Sequence, residues 1–435
     1  MVRDNALNPA WLTLASRRSA DMCFRFLPLF LLLATVSHAF AADFVIVITV
    51  DGLRSSVFSE LTPAQIPNLT RLRAQGVFTD NARTDYDWTF TNPNHVSIIT
   101  ARQVEGVNGH GYTSTSAPPA GQTLHTVRGF YLTSIFDVAH DRGQRTGVFV
   151  TKATQFSIIN ASYTAITGAP DLTGVDHGRD KIDVYFANDY GSPAMVNSFL
   201  TAMATPFHLT WMHFADPDDA GHNFGWATTD YRNAVRNVDS QLGRILTLID
   251  GNPFLRGLTT LIVTADHGGT GFSHTDKTLA ANYTIPFIVW GADVPRPGDL
   301  YFVNRPSRRN PGTTRPTYAA IGQPIRNIDA GNLALMLLGL PAIPDAGALI
   351  NRAQDLRVAL PPFFITRLES DERGMWLSWP ALGPGYGYRV EIAPDPRVTR
   401  WLPAPGVWPI TGTDWFDTSR LPETRFYRVV ATALP

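Results

Sequence analysis

Short runs of apolar, often β-branched residues recur along the first two thirds of the chain. Continuous runs of this kind are typical of strands that are buried on both faces of a parallel sheet. They are FVIVITV (44–50), GVFVTK (147–152), HLTWMHF (208–214), TLIVTA (260–265) and IPFIVWG (285–291). Segments with helical spacing of apolar residues lie between or after these runs, at 134–144, 231–250 and 327–341. The alternation predicts an α/β domain with a mostly parallel sheet flanked by helices.

The pattern changes at Pro361 and Pro362. Beyond them, short alternating runs rich in aromatic residues are separated by Gly, Pro and Asp turns, which is typical of a small β-sandwich of the fibronectin III type. We therefore predict an α/β domain over 42–355, a linker over 356–362 and a β-sandwich over 363–435. The sandwich tryptophans are expected in its core, with a carbohydrate-binding surface as the alternative. They are Trp376, Trp379, Trp401, Trp408 and Trp415.

The N-terminal stretch has the features of a secretory signal peptide. Arg25 precedes the apolar run FLPLFLLLATV (26–36), and an A-x-A cleavage site ends at Ala41. The run is about half the length that a membrane-spanning helix needs. We expect residues 1–41 to be removed, with Met22 as an alternative start, and the mature chain to be periplasmic or secreted.

Composition narrows the possible functional classes. Of the 435 residues, 44% are apolar and 17% are charged, which suits a large core and excludes a disordered chain. Lys and Arg number 36 against 37 Asp and Glu, so a net charge of -1 gives no basis for binding a nucleic-acid polymer. Cys23 is the sole cysteine and lies in the signal region, which excludes a disulfide scaffold and a thiolate zinc site.

Acidic residues and histidines follow three of the predicted strands. They are Asp51 after FVIVITV, Asp266 and His267 after TLIVTA, and Asp218 and His222 after HLTWMHF. Because ligands bind at the carboxyl ends of strands in open α/β sheets, we expect these side chains to converge. Asp and His without a thiolate are the ligand set for zinc or manganese in a hydrolytic centre.

The segment TFTNPNHVSIITA (89–101) predicts a helix that begins near Thr91. Pro93 fits the first turn, and the apolar positions that follow continue the helical pattern. The free N–H groups at a helix N-terminus favour an anion beside Thr91. A metal ion bound to the Thr91 hydroxyl would make it a nucleophile. The alternative is that Thr91 or Asn92 only caps the helix.

Five motifs, taken in order, resemble those of the alkaline phosphatase superfamily. They are VDG, T-x-P-N-H, D-x-x-G-H, DHG and a further His beyond them. The nearest branch is the nucleotide pyrophosphatases/phosphodiesterases, and the resemblance covers residues 43–345. It implies the corresponding α/β fold and a hydrolase of small phosphate esters, namely phosphodiesters or nucleotide pyrophosphates. It also implies a phosphothreonine intermediate on Thr91. We expect no protein partner and no stable membrane span.

The same resemblance implies two bound Zn2+ ions, with Mn2+ or another divalent metal allowed at one of the two sites. The ligands of the first ion would be Asp51, Thr91, Asp266 and His267. The ligands of the second ion would be Asp218, His222 and a later histidine, for which His274 is the sole candidate.

Three positions bear on the substrate. Asn92 stands where the phosphodiesterases usually have Phe, and Tyr112 stands in the segment after His110 where they place a phosphate-binding Asn. Some monoesterases of the superfamily bind the second free phosphate oxygen with a Lys or Arg, and Lys152, at the end of GVFVTK, could do the same; the alternative is a solvated lysine at a strand end. We take Asn92, Tyr112 and Lys152 as candidate substrate-binding residues, together with the loop 153–200.

Other functions remain open at this point. A phosphomonoesterase would use the same core, and so would a phosphonate or sulfate-ester hydrolase. A classical sulfatase is disfavoured because Thr91 holds the position where sulfatases have Cys or Ser. A catalytically inactive surface-binding protein, working through its C-terminal domain, is the alternative of another class; the intact ligand set argues against it.

Overall fold

The computed structural model describes residues 42–164, 180–295, 297–344, 349–361, 363–371, 373–397, 400–418 and 425–434. The predicted signal region lies outside the described residues, as do residues 165–179 of the segment 153–200 that we predict to be a loop. The described part of that segment forms two helices and a strand and is not a continuous loop. The described chain divides into two compact units, with the boundary between Ala359 and Leu360. This boundary falls inside the segment 356–362 that we predict to be a linker. No helix among the described residues is long and apolar enough to cross a membrane.

The first unit is built on one eight-stranded sheet. Its strands are β1 (Phe44–Val50), β2 (Val77–Arg83), β3 (Thr146–Thr151), β4 (Val184–Asn188), β5 (Leu209–Phe214), β6 (Thr259–Thr264), β7 (Thr284–Gly291) and β8 (Gly298–Asp299). They lie in the order β4-β3-β5-β1-β6-β7-β2-β8. Only β7 runs antiparallel to its neighbours, and the other strand pairs are parallel. The mostly parallel sheet confirms the predicted fold class.

Helices connect the strands of this sheet. They are α1 (Val57–Glu60), α2 (Pro67–Gln75), α3 (Thr91–Thr100), α4 (Leu124–Arg128), α5 (Ile135–His140), α6 (Ala153–Tyr163), α7 (Ser192–Ala202), α8 (Asp216–Phe224), α9 (Thr229–Gly251), α10 (Ala280–Tyr283), α11 (Leu300–Val303) and α12 (Asp329–Leu337). The three predicted helices correspond to α5, α9 and α12. The α5 helix begins where Ser134 and Asp137 form a capping box, which satisfies N–H groups that the first turn leaves free.

The central strand β1 sets the position of the site. It pairs in parallel register with β5 on one side and β6 on the other, so that Val50 is opposite Phe214 and Thr49 is opposite Thr264. Strand β3 lies beyond β5. The carboxyl ends of β3, β5, β1 and β6 therefore lie side by side along one edge of the sheet. The side chains that follow these strands meet at that edge, where α/β proteins bind ligands.

The second unit is all-β, as predicted. Its strands are β9 (Arg367–Asp371), β10 (Gly374–Ser378), β11 (Tyr386–Ala393), β12 (Leu402–Pro403), β13 (Asp414–Asp417) and β14 (Phe426–Ala433). They form two three-stranded antiparallel sheets, β13-β10-β9 and β12-β11-β14. Trp379 and Trp401 are buried in this unit, whereas Trp376, Trp408 and Trp415 are half-buried.

Candidate active site

Three aspartates from different parts of the sheet meet at its carboxyl edge. Asp51 follows β1 directly, Asp266 lies just beyond β6, and Asp218 lies in the first turn of α8. All three are buried. The turn after β1 can approach α8 this closely because Gly52 has no side chain. A Cβ atom at Gly52 would lie 3.0 Å from the Cα of Asp218, and the φ angle of +67° also favours glycine.

Thr91 is the first residue of α3, so its hydroxyl lies at the positive end of the helix. The side chain is buried, and Oγ1 lies 3.4 Å from Nε2 of His267. One turn further along, His95 donates from Nδ1 to the backbone carbonyl of Thr91 at 2.8 Å. The helix start therefore holds the Thr91 hydroxyl against the aspartates and histidines that follow the strands.

The first ligand group consists of Asp51, Thr91, Asp266 and His267. His267 donates from Nδ1 to the carbonyl of Gly268 at 2.8 Å, which leaves Nε2 with a lone pair. That Nε2 lies 3.3 Å from Oδ1 of Asp51 and 3.1 Å from Oδ2 of Asp266. Neither of these two buried oxygens has a hydrogen-bond donor among the described residues. Acceptor atoms that face one another without a donor are the arrangement that a bound cation requires.

The second ligand group consists of Asp218, His222 and His274. His222 donates from Nδ1 to the carbonyl of Phe272 at 3.0 Å, and His274 donates to the carbonyl of Thr89 at 2.5 Å. Both Nε2 atoms therefore carry lone pairs, and they lie 3.1 Å apart. Oδ1 of Asp218, which also lacks a donor among the described residues, is 3.5 and 3.8 Å from them.

The two ligand groups are contiguous. The rings of His267 and His274 are stacked with centroids 3.6 Å apart, and Asp218, His267 and His274 also present ligand atoms within 4.8 Å of one another. Burial lowers the pKa of His267 to about 3 and that of His274 to about 4. Both rings are therefore neutral at pH 7, which is the protonation state that binds a metal ion.

A model of the type I phosphodiesterase / nucleotide pyrophosphatase family matches residues 45–317. The protein belongs to this family. This confirms the resemblance found in the sequence and places the chain in the corresponding branch of the alkaline phosphatase-like proteins.

Curated relatives of the chain match over part of their length. The human ectonucleotide pyrophosphatase/phosphodiesterase family member 7 is 26% identical over 236 residues, which is 52% of this chain and 47% of the relative. The rat protein of the same name is 24% identical over 251 residues, or 55% and 53% of the two chains. This chain thus spans about half the length of these relatives. The GPI ethanolamine phosphate transferase 1 of Saccharomyces cerevisiae is 27% identical over 90 residues, or 21% and 10%.

A solved structure shares the fold. The murine ectonucleotide pyrophosphatase/phosphodiesterase 5, in an inactive threonine-to-alanine variant in complex with AMP, superposes with a TM-score of 0.50. The alignment covers 72% of this chain and 99% of the murine chain at 15% identity. At this identity the similarity establishes the fold only.

The structure brings together all seven residues that the resemblance to the phosphodiesterase family assigns as metal ligands.

The three candidate substrate residues lie at different depths. Asn92 is buried beside Thr91 and donates to the carbonyl of Gln155 at 3.1 Å. Tyr112 is also buried. Lys152 reaches between two of the aspartates: its Nζ lies 2.7 Å from Oδ2 of Asp51 and 2.5 Å from Oδ2 of Asp218.

Sequence reasoning about the phosphodiesterase motifs did not identify His213, the fifth residue of β5. Its Nε2 donates to Oδ2 of Asp51 at 3.1 Å, and its Nδ1 contacts the Thr151 hydroxyl at 3.0 Å. Burial raises the pKa of Asp51, but Lys152 and His213 outweigh this effect and hold it well below the usual range. A histidine next to the last residue of a mostly apolar strand is the signal that could have identified His213.

Proposed function

We propose that the protein is an exported phosphodiesterase that binds two divalent metal ions and works through a phosphothreonine on Thr91. One observation carries the proposal: three buried carboxylate oxygens and three histidine nitrogens face one another with their lone pairs. The oxygens belong to Asp51, Asp218 and Asp266, and the nitrogens are Nε2 of His222, His267 and His274. Two cations would satisfy all six atoms. Zn2+ suits this Asp/His set, and Mn2+ at one site is compatible with it.

Bound divalent cations supply Lewis-acid stabilisation of phosphoryl oxygens and lower the pKa of a hydroxyl that they contact. The chain supplies the nucleophile and its orientation. The Thr91 hydroxyl loses its proton to solvent and Oγ1 attacks phosphorus, so that a new P–O bond forms to Thr91 and the ester bond on the opposite side breaks. The leaving alkoxide takes a proton from water. A second water gives up a proton as it attacks phosphorus; the bond to Oγ1 breaks, a phosphate monoester leaves, and Oγ1 regains a proton. The N-terminus of α3 places backbone N–H groups beside the negative charge that develops.

The structure supports a diester over a monoester as the substrate. A monoester carries an additional negative oxygen, and Lys152 is the candidate residue for binding it. The Lys152 ammonium is already held by carboxylates of Asp51 and Asp218. The complex of a structural neighbour with AMP makes a nucleotide ester a suitable first substrate. Our candidates for contacts to the leaving group or base are Asn92, the second residue of α3, and Tyr112.

The first test compares Thr91→Ala with Thr100→Ala. Thr100 lies in the last turn of the same helix and donates only to the Val96 carbonyl, so it controls for loss of a buried threonine. The mature chain is loaded with Zn2+ and assayed on the p-nitrophenyl ester of thymidine 5′-phosphate, on p-nitrophenyl phosphate and on p-nitrophenyl sulfate. We expect Thr91→Ala to lose at least roughly a thousandfold in kcat on the diester, while it retains zinc.

The same assay separates the alternatives. Near-normal turnover by Thr91→Ala would contradict the assigned nucleophile. A wild-type preference for p-nitrophenyl phosphate would identify a phosphomonoesterase on the same core, and a preference for the sulfate would identify a sulfate-ester hydrolase. No turnover of any substrate by zinc-loaded wild type would favour a binding protein.

A further inference from the structure

Lys152 has a backbone conformation that is unusual for a residue with a side chain. It follows β3 directly and precedes α6, and its φ and ψ angles of 62° and 55° lie in the left-handed region. Non-glycine residues adopt this region only where the surroundings enforce it, and such positions cluster at functional sites. Here the Lys152 carbonyl accepts from the N–H groups of Gln155 and Phe156, in the first turn of α6.

This conformation directs the side chain between two aspartates that belong to different ligand groups. Asp51 comes from the end of β1 and Asp218 from α8, and the Lys152 ammonium contacts both of them. Both contacts are made to the Oδ2 atoms. The Oδ1 atoms of the same two carboxylates have no donor among the described residues and face the histidines of the two ligand groups.

The two oxygens of each aspartate therefore have different roles: Oδ2 accepts hydrogen bonds, and Oδ1 faces the histidines. Oδ2 of Asp51 accepts from Lys152 and His213, and Oδ2 of Asp218 accepts from Lys152. A carboxylate held through one oxygen by a directed, charge-assisted hydrogen bond cannot rotate freely, so the direction of its other oxygen is fixed as well. One ammonium thereby orients one ligand oxygen in each group.

We propose that Lys152 is a positioning residue that sets the distance between the two metal ions by holding Asp51 and Asp218 through their outer oxygens. This proposal rests on the proposed function, because it requires two bound ions. It differs from a phosphate contact, since two of the three ammonium N–H groups are directed at Asp51 and Asp218. The third carboxylate nearby, Asp219, has its Oδ1 3.8 Å away, beyond hydrogen-bond distance.

The test is metal binding by Lys152→Met, with Zn2+ alone as the probe and calorimetry as the readout. The matched control is Lys181→Met. Lys181 is a buried lysine, and its Nζ lies 2.5 Å from Oδ1 of Asp141. Its backbone carbonyl accepts from Thr146 at the start of β3, the opposite end of the strand from Lys152.

We expect Lys152→Met to weaken the binding of the second Zn2+ by about tenfold or more, whereas Lys181→Met binds both ions as the wild type does. The kcat of Lys152→Met should fall by the same factor on diester and monoester, because the defect lies in the metal pair. Equal or tighter binding of both ions by Lys152→Met would overturn the proposal, and so would a loss confined to the monoester. If the wild type itself does not bind two Zn2+ ions, the proposed function is contradicted. If the wild type binds two ions and Lys152→Met binds them equally well, only the role of Lys152 is contradicted.

Lys152→Arg provides a second measurement that does not depend on how Lys152→Met folds. Arginine keeps the positive charge but changes the reach and the direction of the donors. In the Mn2+-loaded protein, the exchange coupling seen by electron paramagnetic resonance reports the distance between the two ions. We expect the Lys152→Arg spectrum to differ from that of the wild type. Identical spectra would show that the ion pair does not depend on Lys152.

Discussion

The Nε2 atoms of His222 and His274 lie 3.1 Å apart, although the two residues are separated by 52 positions. Each ring donates its Nδ1 proton to a backbone carbonyl, so neither Nε2 can donate to the other. Two lone pairs at this distance repel each other unless a cation lies between them. A cation bound by this pair would therefore connect the segment that carries His274 to the helix that carries His222.

Replacing His274 should remove one metal ion and leave the other. His274→Ala deletes one ligand of the second group and leaves Asp51, Asp266 and His267 intact, so we expect zinc content to fall from two ions per chain to one. The measurement is elemental analysis after dialysis against buffered Zn2+. The control is His208→Ala, because His208 immediately precedes β5, at the end of that strand away from the candidate site. Two retained zinc ions in His274→Ala would contradict the assignment of this histidine.

The Gly52 position should be sensitive to a single methyl group. In Gly52→Ala the new Cβ would lie 3.0 Å from the Cα of Asp218, whereas a Cβ at Gly257 would meet nothing within 4 Å. Both glycines have positive φ angles, so both alanine variants should lose about 1 kcal/mol of stability to backbone strain. Only Gly52→Ala displaces Asp218, and we expect kcat/KM on the diester to fall at least roughly tenfold in that variant alone. Equal activity of the two variants would refute this interpretation.

His110 should make stability depend on pH in a defined window. Burial lowers the pKa of His110 to about 3, from an unfolded value of about 6.5. Below pH 6.5 the unfolded chain binds a proton that the folded chain does not, so stability is lost as the pH falls towards 3. Between pH 7 and pH 4.5 this group alone should cost roughly 2 to 3 kcal/mol of stability.

The check is urea denaturation of the wild type and His110→Gln at both pH values, with a chelator present so that metal binding does not contribute. His110→Gln is expected to lose less stability between the two pH values than the wild type. Its absolute stability is not the readout, because the substitution also alters contacts with Ser97 and Tyr112. Parallel pH dependences of the two proteins would exclude a buried neutral His110.

Export can be tested on the full chain. Expressed in a Gram-negative host, the protein should appear outside the cytoplasm with a mature N-terminus at Ala42, read by mass spectrometry. Leu32→Arg introduces a charge into the apolar run and should leave the uncleaved protein inside the cell. An intact N-terminus on the exported protein would contradict the cleavage site.

The sequence predicts the centre of the sheet better than its edges. The five predicted strands match β1, β3, β5, β6 and β7 to within one residue at each end, because strands buried on both faces need unbroken apolar runs. The strands β2, β4 and β8 were not predicted. They lie at the sheet edges or next to one, and β2, with the sequence VFTDNAR, alternates with polar residues.

The candidate metal ligands could be named from motifs, but their supporting contacts could not. That Lys152 would reach Asp51 and Asp218 depends on the strand order β3-β5-β1 and on the left-handed backbone at Lys152. Neither property is encoded in the local pattern GVFVTK. The contact of His213 with Asp51 likewise follows from the parallel register of β5 and β1, which only the assembled sheet defines.

Because β1 and β6 are adjacent in the sheet, the candidate site forms only after both strands have been synthesised and have paired. Gly52 donates its N–H group to Asp266, and 214 positions separate the two residues. During synthesis, a chain that has not yet reached His274 lacks part of the ligand set, and strand pairings this distant in sequence form slowly. Under the proposed function, both metal ions can therefore bind only after β1 and β6 have paired and the segment that carries His274 has been synthesised. The ion that the protein carries is then decided by the compartment in which the sheet closes.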